Sequence, residues 1–250
     1  MATQQEIHIG ILSPAAADRP HFKSLQQMLP AEVTVTNEGL GLLKDSYHDL
    51  EGKTDEIAAR AADFVRRNQV HGLIVTGGFV TLFNPGLEAK IAEVVRIPVT
   101  SAVRSVTASL NALSVTKVML VTPFTAEMNA HIEKHLTNLG FTVVSGPPYD
   151  KTRKPGAGVD ISPDELFQRV EASYRQNPTV QSVYFQGATL DPLPIIQRLE
   201  DNLGIPVSPA TSQCSGTSCR SSVRDFQLRA TASCSRPGRC LLIDNRLFSA

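Results

Sequence analysis

Hydrophobic and polar positions follow two alternating periods along most of the chain: short apolar runs of strand length, separated by longer stretches with a helical stripe. Ile7-His8-Ile9-Gly10-Ile11-Leu12 predicts a first strand, closed by Ser13-Pro14-Ala15, and Val33-Thr34-Val35-Thr36 predicts a second. Gly39-Leu40-Gly41-Leu42-Leu43 follows. It lacks the Gly-x-Gly-x-x-Gly spacing of a phosphate loop and does not follow the first strand, so it reads as a flexible apolar flap over a pocket. Ile57, Ala61, Phe64 and Val65 make the apolar stripe of a helix over 54–68, with Asp55, Glu56, Arg60, Arg66 and Arg67 facing water. Thr54 is its expected N-cap, and the acidic pair suits the positive end of the helix dipole. Further strands are expected at 73–76, 97–99, 118–122, 141–144 and 183–185. Helices are expected at 87–95, 101–113, 126–139, 163–176 and 194–203. Gly140 closes one of these, and Ser162-Pro163-Asp164-Glu165 opens the next with a cap and an acidic first turn. Strands alternating with helices predict an α/β fold with mostly parallel sheets.

Part of this pattern occurs twice. Gly72-Leu73-Ile74-Val75-Thr76-Gly77-Gly78 is followed about twenty residues later by Ile97-Pro98-Val99. Ser182-Val183-Tyr184-Phe185-Gln186-Gly187-Ala188 is followed at nearly the same distance by Ile205-Pro206-Val207. Each copy reads as a buried strand, a turn of small residues, a helix and a second strand. The repeat predicts two pseudo-symmetric Rossmann-like half-domains, residues 1–115 and 116–210, with a cleft between them. Ligands of such folds bind outside the carboxyl ends of the strands, which here means the two glycine-ended turns. After Ala210 neither period persists. Residues 211–250 hold six arginines, no lysine, eight serines and all four cysteines. This tail reads as the product of a shifted reading frame or a retained intron, with a disordered tail as the alternative.

Composition narrows the partners. Twenty-four basic and 24 acidic residues leave a net charge of zero, which supports neither nucleic acid nor an anionic membrane as a partner. The apolar runs are far shorter than the roughly 20 residues of a membrane span, and the first residues do not read as a secretory leader, so a cytoplasmic location is expected. Cys214, Cys219, Cys234 and Cys240 are separated, pair by pair, by four and five residues rather than the two of zinc knuckles. His131 and His135 lie one turn apart, without a His-Glu-x-x-His pattern, and read as solvent-facing. The polar stretch 146–158 reads as an exposed loop whose Lys151, Arg153 and Lys154 are able to steer an anion.

Several segments, in order, resemble one family. Ile9-Gly10-Ile11-Leu12-Ser13-Pro14-Ala15-Ala16, Gly39-Leu40-Gly41-Leu42, Thr76-Gly77-Gly78 through Phe83, Thr122-Pro123-Phe124 with Glu127-Met128-Asn129, and the stretch from Leu190 through Pro206-Val207 are similar to the aspartate/glutamate racemase superfamily. The closest likeness is to its arylmalonate decarboxylase and maleate isomerase branch, over roughly residues 7–210. The resemblance implies two α/β halves with the active site between them, no metal or organic cofactor, and a small carboxylic acid as substrate. The oligomeric state, monomer or homo-oligomer, is left open. Racemases of the family use one cysteine from each half, decarboxylases keep the second, and isomerases use the first as nucleophile. Carried onto this chain, the first cysteine position falls on Gly78 and the second on Gly187, so neither half supplies a thiol. A decarboxylase tyrosine falls on Phe124.

The substrate-binding candidates are therefore Ser13, Pro14, Leu40, Gly77, Gly78, Phe79, Val80, Arg104, Phe124, Gly187, Ala188 and Thr189. Backbone N–H groups around 78–80 and 187–189 are candidate donors to a carboxylate, since such donors need no side chain. Thr76, Thr81, Thr189 and Ser13 are hydroxyl candidates, with ordinary strand-end hydrogen bonding as the alternative. Arg104 is either a bidentate carboxylate clamp or a surface arginine. Phe79, Phe83, Phe124 and Phe185 either line an apolar cleft or pack the core. The expected chemistry is a cofactor-independent decarboxylation of an aryl- or alkylmalonate through an enediolate. Maleate-type isomerisation and a catalytically inactive superfamily member are the alternatives.

Overall fold

Runs such as Val118-Met119-Leu120-Val121 are apolar at every position because both faces of a parallel strand are covered. In the computed structural model, which describes residues 6–15, 33–147, 161–187 and 189–209, these runs form two four-stranded parallel sheets. The first contains β1 (Ile7–Ser13), β2 (Val33–Gly39), β3 (Gly72–Val75) and β4 (Val99–Ser101) in the order β2-β1-β3-β4. The second contains β5 (Lys117–Val121), β6 (Thr142–Ser145), β7 (Ser182–Phe185) and β8 (Val207–Pro209) in the order β6-β5-β7-β8. The two orders coincide when the second set is counted from its own first strand. The glycine-ended repeats thus occupy the same inner place, β3 in one sheet and β7 in the other. Register agrees: Ile9 pairs with Gly72 and Leu73 with Val99, as Val118 pairs with Ser182 and Val183 with Val207.

The helices are α1 (Thr54–Asn68), α2 (Gly78–Leu82), α3 (Leu87–Val95), α4 (Ala102–Ala112), α5 (Ala126–Asn138), α6 (Pro163–Gln176) and α7 (Ile196–Leu203). Short 3-10 turns occur at Tyr47–Leu50 and Leu193–Ile195. Most follow the predicted periodicity. Ser162 caps α6 by accepting the Glu165 N–H, and Gly140 follows α5 at φ +91°. None of the described helices is long and apolar enough to cross a membrane.

One continuous core joins the halves. Leu12, Leu50, Ile57, Phe64, Leu73, Phe79 and Leu87 share it with Val118, Leu120, Phe124, Met128, Ile132 and Tyr184. Alternate residues of β5 and β7 point the other way. Met119, Val121, Val183 and Phe185 pack with Leu166, Phe167, Val170, Ile196 and Leu199 of α6 and α7.

Four expectations need correction. The pattern did not predict the helix at 78–82, because a Gly-Gly pair closing a strand gives no helical stripe over five residues. Thr54 is not the N-cap of α1: Lys53 is, and the Thr54 hydroxyl donates instead to Asn84 Oδ1 at 3.2 Å. The 39–43 segment is not a free flap. Leu40 and Leu42 are buried, the Leu40 N–H donates to the Ser13 carbonyl at 2.7 Å, and those of Leu42 and Leu43 donate to the Pro14 carbonyl. Arg60 is not merely solvated, since its guanidinium donates to the Leu40 carbonyl at 2.5 Å and to Glu56. Ala16, Ala188, Ala210, residues 148–158 of the polar stretch expected at 146–158, and the tail 211–250 with its cysteines lie outside the described residues.

Candidate functional site

Four strand ends converge. β1 ends at Ser13-Pro14, β3 at Thr76-Gly77-Gly78, β5 at Thr122-Pro123-Phe124 and β7 at Gln186-Gly187. Their closeness is read from what each glycine would touch if it carried a Cβ. At Gly77, whose φ is +83°, the added atom would lie 2.7 Å from Cγ of Pro14. At Gly187, φ +121°, it would lie 2.8 Å from Cδ of Pro123 and 2.9 Å from Cζ of Phe124. At Gly78 it would lie 1.6 Å from Nε2 of Gln186 and 3.3 Å from Cγ2 of Val103. The glycine-ended turns of the two halves therefore meet, and the Gln186 amide fills the space beside Gly78. Gln186 is buried, and its Oε1 accepts a hydrogen bond from the buried Tyr184 hydroxyl. Burial without a charged neighbour pushes the Tyr184 phenol far above its usual range, so it stays a neutral donor.

An aromatic wall stands beside this junction. Phe79, on the first turn of α2, lies 4.8 Å from Phe124 between ring centres, and Tyr47 lies 4.7 Å from Phe79 and 5.2 Å from Phe124. These tilted and edge-on contacts suit aromatic quadrupoles. Phe83 continues the wall outward, stacked on Phe79 at 5.5 Å and on His48 at 5.4 Å, with exposed His131 edge-on at 5.1 Å. His135, one turn on, is half-buried, and desolvation holds its pKa below the usual value. Phe185 is not part of the wall: odd and even positions of β7 face opposite ways, and it packs against α6 and α7.

Tyr47 is held in place from below. Ser46 caps the Tyr47–Leu50 turn, and Asp49 accepts the N–H groups of Lys44, Asp45 and Ser46 at 3.1, 3.0 and 3.0 Å. Those backbone donors, Ser46 first, hold the Asp49 carboxyl below its usual range. Buried Asn84 ties the turn to the helices. Its Nδ2 donates to the Leu50 and Val80 carbonyls, and its Oδ1 accepts from the Lys53 N–H and the Thr54 hydroxyl. Sequence reasoning missed both Tyr47 and Asn84. An Asn-Pro-Gly triplet signals a turn but not which groups its amide reaches.

The other candidates fall as follows. Ser13 is buried at the end of β1, and Leu40 is a core residue beneath it. The Thr76 hydroxyl donates to the Leu12 carbonyl at 3.0 Å, which is the strand-end alternative. The Val80 N–H is engaged by the Gly77 carbonyl at 2.9 Å. The N–H groups of Gly78 and Phe79 open α2, where no preceding helical turn supplies acceptors. Arg104 is half-buried on the first turn of α4, its N–H donating to Ser101 Oγ; it is Val103, one residue earlier, that faces Gly78. Thr189 is half-buried beside Gly187. Among the described residues no three His, Cys, Asp or Glu side chains gather where they would hold a metal ion.

Comparison with known proteins agrees with this architecture. A family model described as arylmalonate decarboxylase matches residues 9–233, nearly the whole chain and somewhat past the described residues. No match was found among curated proteins. Among solved structures, unliganded arylmalonate decarboxylase superposes with a TM-score of 0.69 at 19% identity, covering 87% of this chain and 92% of its own. The maleate isomerase Iso from Pseudomonas putida S16 gives 0.68 at 14% identity, covering 89% and 94%. Nocardia farcinica maleate cis-trans isomerase bound to TRIS gives 0.69 at 18% identity, covering 88% and 92%. At these identities the superpositions establish the fold, and the family match establishes membership: the chain belongs to the arylmalonate decarboxylase family.

Proposed function

From that membership, we propose that the chain acts without metal or organic cofactor on a small apolar dicarboxylic acid of the aryl- or alkylmalonate type. The observation that carries the reading is the meeting of the β3 and β7 ends beside the wall of Tyr47, Phe79 and Phe124. An apolar, water-poor surrounding destabilises a carboxylate that is to be lost, and backbone donors at the opening of α2 suit the charge left behind. In the step, the bond from Cα to one carboxylate breaks and carbon dioxide leaves. The electron pair passes into the remaining carboxyl as an enediolate, and Cα then takes a proton. With glycine at residues 78 and 187, neither position supplies a thiol to return that proton. Gly78 and Phe79 N–H hold the enediolate oxygen, the aryl or alkyl group lies on the aromatic wall, and Ser13, Pro14 and Thr189 border it.

Maleate-type isomerisation is the second activity of the family branch, and it needs a nucleophile that residue 78 does not supply. A second reading, a binding protein without turnover, is favoured by the Gln186 amide, which occupies the space a side chain at residue 78 would need. Incubation of the full chain with phenylmalonate, alkylmalonates and maleate decides between them. Carbon dioxide release with a monocarboxylate in the proton NMR spectrum is expected. Saturable ligand binding without product would establish the second reading instead.

A further inference from the structure

Gly78 and Gly187 follow equivalent strands one place out of step, Gly187 matching Gly77 in the repeat, and they are glycine for different reasons. Gly187 has a left-handed φ of +121°, so any side chain there is strained as well as crowded. Gly78 opens α2 with a φ outside that region. Its backbone tolerates alanine, and what excludes a Cβ is chiefly one group, the Gln186 amide at 1.6 Å. That amide cannot swing away freely. Gln186 is 1% exposed, its main-chain N–H anchors the residue to the Val121 carbonyl at 2.9 Å, and its side-chain Oε1 is held by the Tyr184 hydroxyl. A phenol donating to Oε1 turns Nε2, the end with two N–H donors, towards Gly78.

We infer that Gln186 supplies, from the second half of the chain, the side chain that residue 78 lacks, and that its Nε2 is a neutral donor that binds a substrate carboxylate at this junction. The second clause rests on the dicarboxylate reading above; the first stands on packing alone. An amide suits the binding role and no other. It donates to a carboxylate oxygen and fixes its direction, but it has no proton to lend at neutral pH, so it orients the substrate without replacing a thiol in proton transfer. Gln186 is then a specificity-determining residue, selecting substrates that present an anionic oxygen on the Gly78 side.

Two measurements test the two clauses. The first is a folding cycle of Gly78→Ala, Gln186→Ala and the double variant, by urea unfolding. Gly78→Ala alone is expected to shift the folding equilibrium at least about thirtyfold towards the unfolded state. In the Gln186→Ala background the same change is neutral or favourable, because alanine is the better helix residue. Should Gly78→Ala fail to fold, recovery of folding in the double variant supports the first clause equally. An equal penalty in both backgrounds overturns the inference, even in a chain that turns over phenylmalonate. The second compares Gln186→Leu with the unaltered chain on phenylmalonate. Loss of a charge-assisted donor is expected to raise KM by about ten- to a hundredfold with a smaller change in kcat. Gln186→Glu, which faces the substrate with like charge, should raise it further. An unchanged KM in Gln186→Leu overturns the donor role alone. Failure of the unaltered chain to bind or convert phenylmalonate overturns the donor role together with the dicarboxylate reading, while the folding cycle still decides the first clause.

Discussion

Replacement of Asn84 by alanine tests how the aromatic wall is built. The side chain is 1% exposed and bonded at both ends: Nδ2 to the Leu50 and Val80 carbonyls at 2.7 and 2.8 Å, Oδ1 to the Lys53 N–H at 2.6 Å and the Thr54 hydroxyl at 3.2 Å. It is the joint between the turn that carries Tyr47, the start of α1 and the end of α2. Truncation strands three main-chain groups in a poorly hydrated place. An unsatisfied buried group costs about 1–3 kcal/mol, and water entering the vacated volume recovers part of that. The expected loss is about 3–5 kcal/mol, a large share of the roughly 5–15 kcal/mol that holds a typical domain together. At about 2–4 °C per kcal/mol for a chain of this size, Tm falls by about 10 °C. Urea unfolding followed by far-UV circular dichroism measures it, as the chain has no tryptophan. Asn84→Asp should be at least as damaging at neutral pH, because its second oxygen confronts two carbonyls. A loss below about 1 kcal/mol in both variants would refute the account of Asn84 as the joint.

The remaining predictions concern the same junction. Gly187→Ala combines a left-handed φ with contacts of 2.8 and 2.9 Å to Pro123 and Phe124, and is expected to lose about 2–4 kcal/mol by urea unfolding; a neutral variant would mean that the β7 turn is free to rearrange. Tyr47→Ala removes the ring that spans Phe79 and Phe124 and should weaken phenylmalonate binding about tenfold or more by calorimetry, while Tyr47→Leu recovers part of it; equal binding by all three would remove Tyr47 from the site. His48 has a raised pKa, mainly through its hydrogen bond to Glu51, with the charges of Glu51 and Glu127 adding to it against a desolvation cost. A raised folded pKa stabilises below the ordinary value of 6.5 and fades as pH rises through the folded value, so the gap in urea midpoint between the unaltered chain and His48→Gln should close with rising pH. A gap that widens instead would reverse the assignment. Asp49 runs the opposite way. Its lowered pKa gives stability above the ordinary carboxyl range that is lost as pH falls through the folded value, so the Asp49→Asn penalty should shrink in acid.

Much of this was legible in the sequence because the signals are local. The stripe of Ile57, Ala61 and Phe64 announced α1, and the paired runs at 72–78 and 182–188 announced two equivalent strands. The order of strands within each sheet was not local information, yet the repeat implied that both halves would share it. What escaped depended on partners distant in the chain. Leu40 and Leu42 looked like a flap because nothing nearby reveals that their N–H groups reach the Ser13 and Pro14 carbonyls. Gln186 drew no notice beside Gly187, although 108 positions separate it from the glycine whose space it fills. Asn84 and Tyr47 are of the same kind: residue types with many plausible uses, given one by tertiary contact.

The wedge between Gly78 and Gln186 also orders the routes by which this chain is able to change. A single substitution that adds a side chain at residue 78 meets the amide first and is expected to lose stability before its chemistry is tried. A smaller residue at 186 opens the door without using it. The pair is therefore expected to be epistatic: a laboratory lineage seeking a nucleophile at residue 78 gains by changing residue 186 first, and a library randomised at 78 alone should be enriched in glycine. At residue 187 no such preparatory step exists, because the obstacle there is the backbone itself.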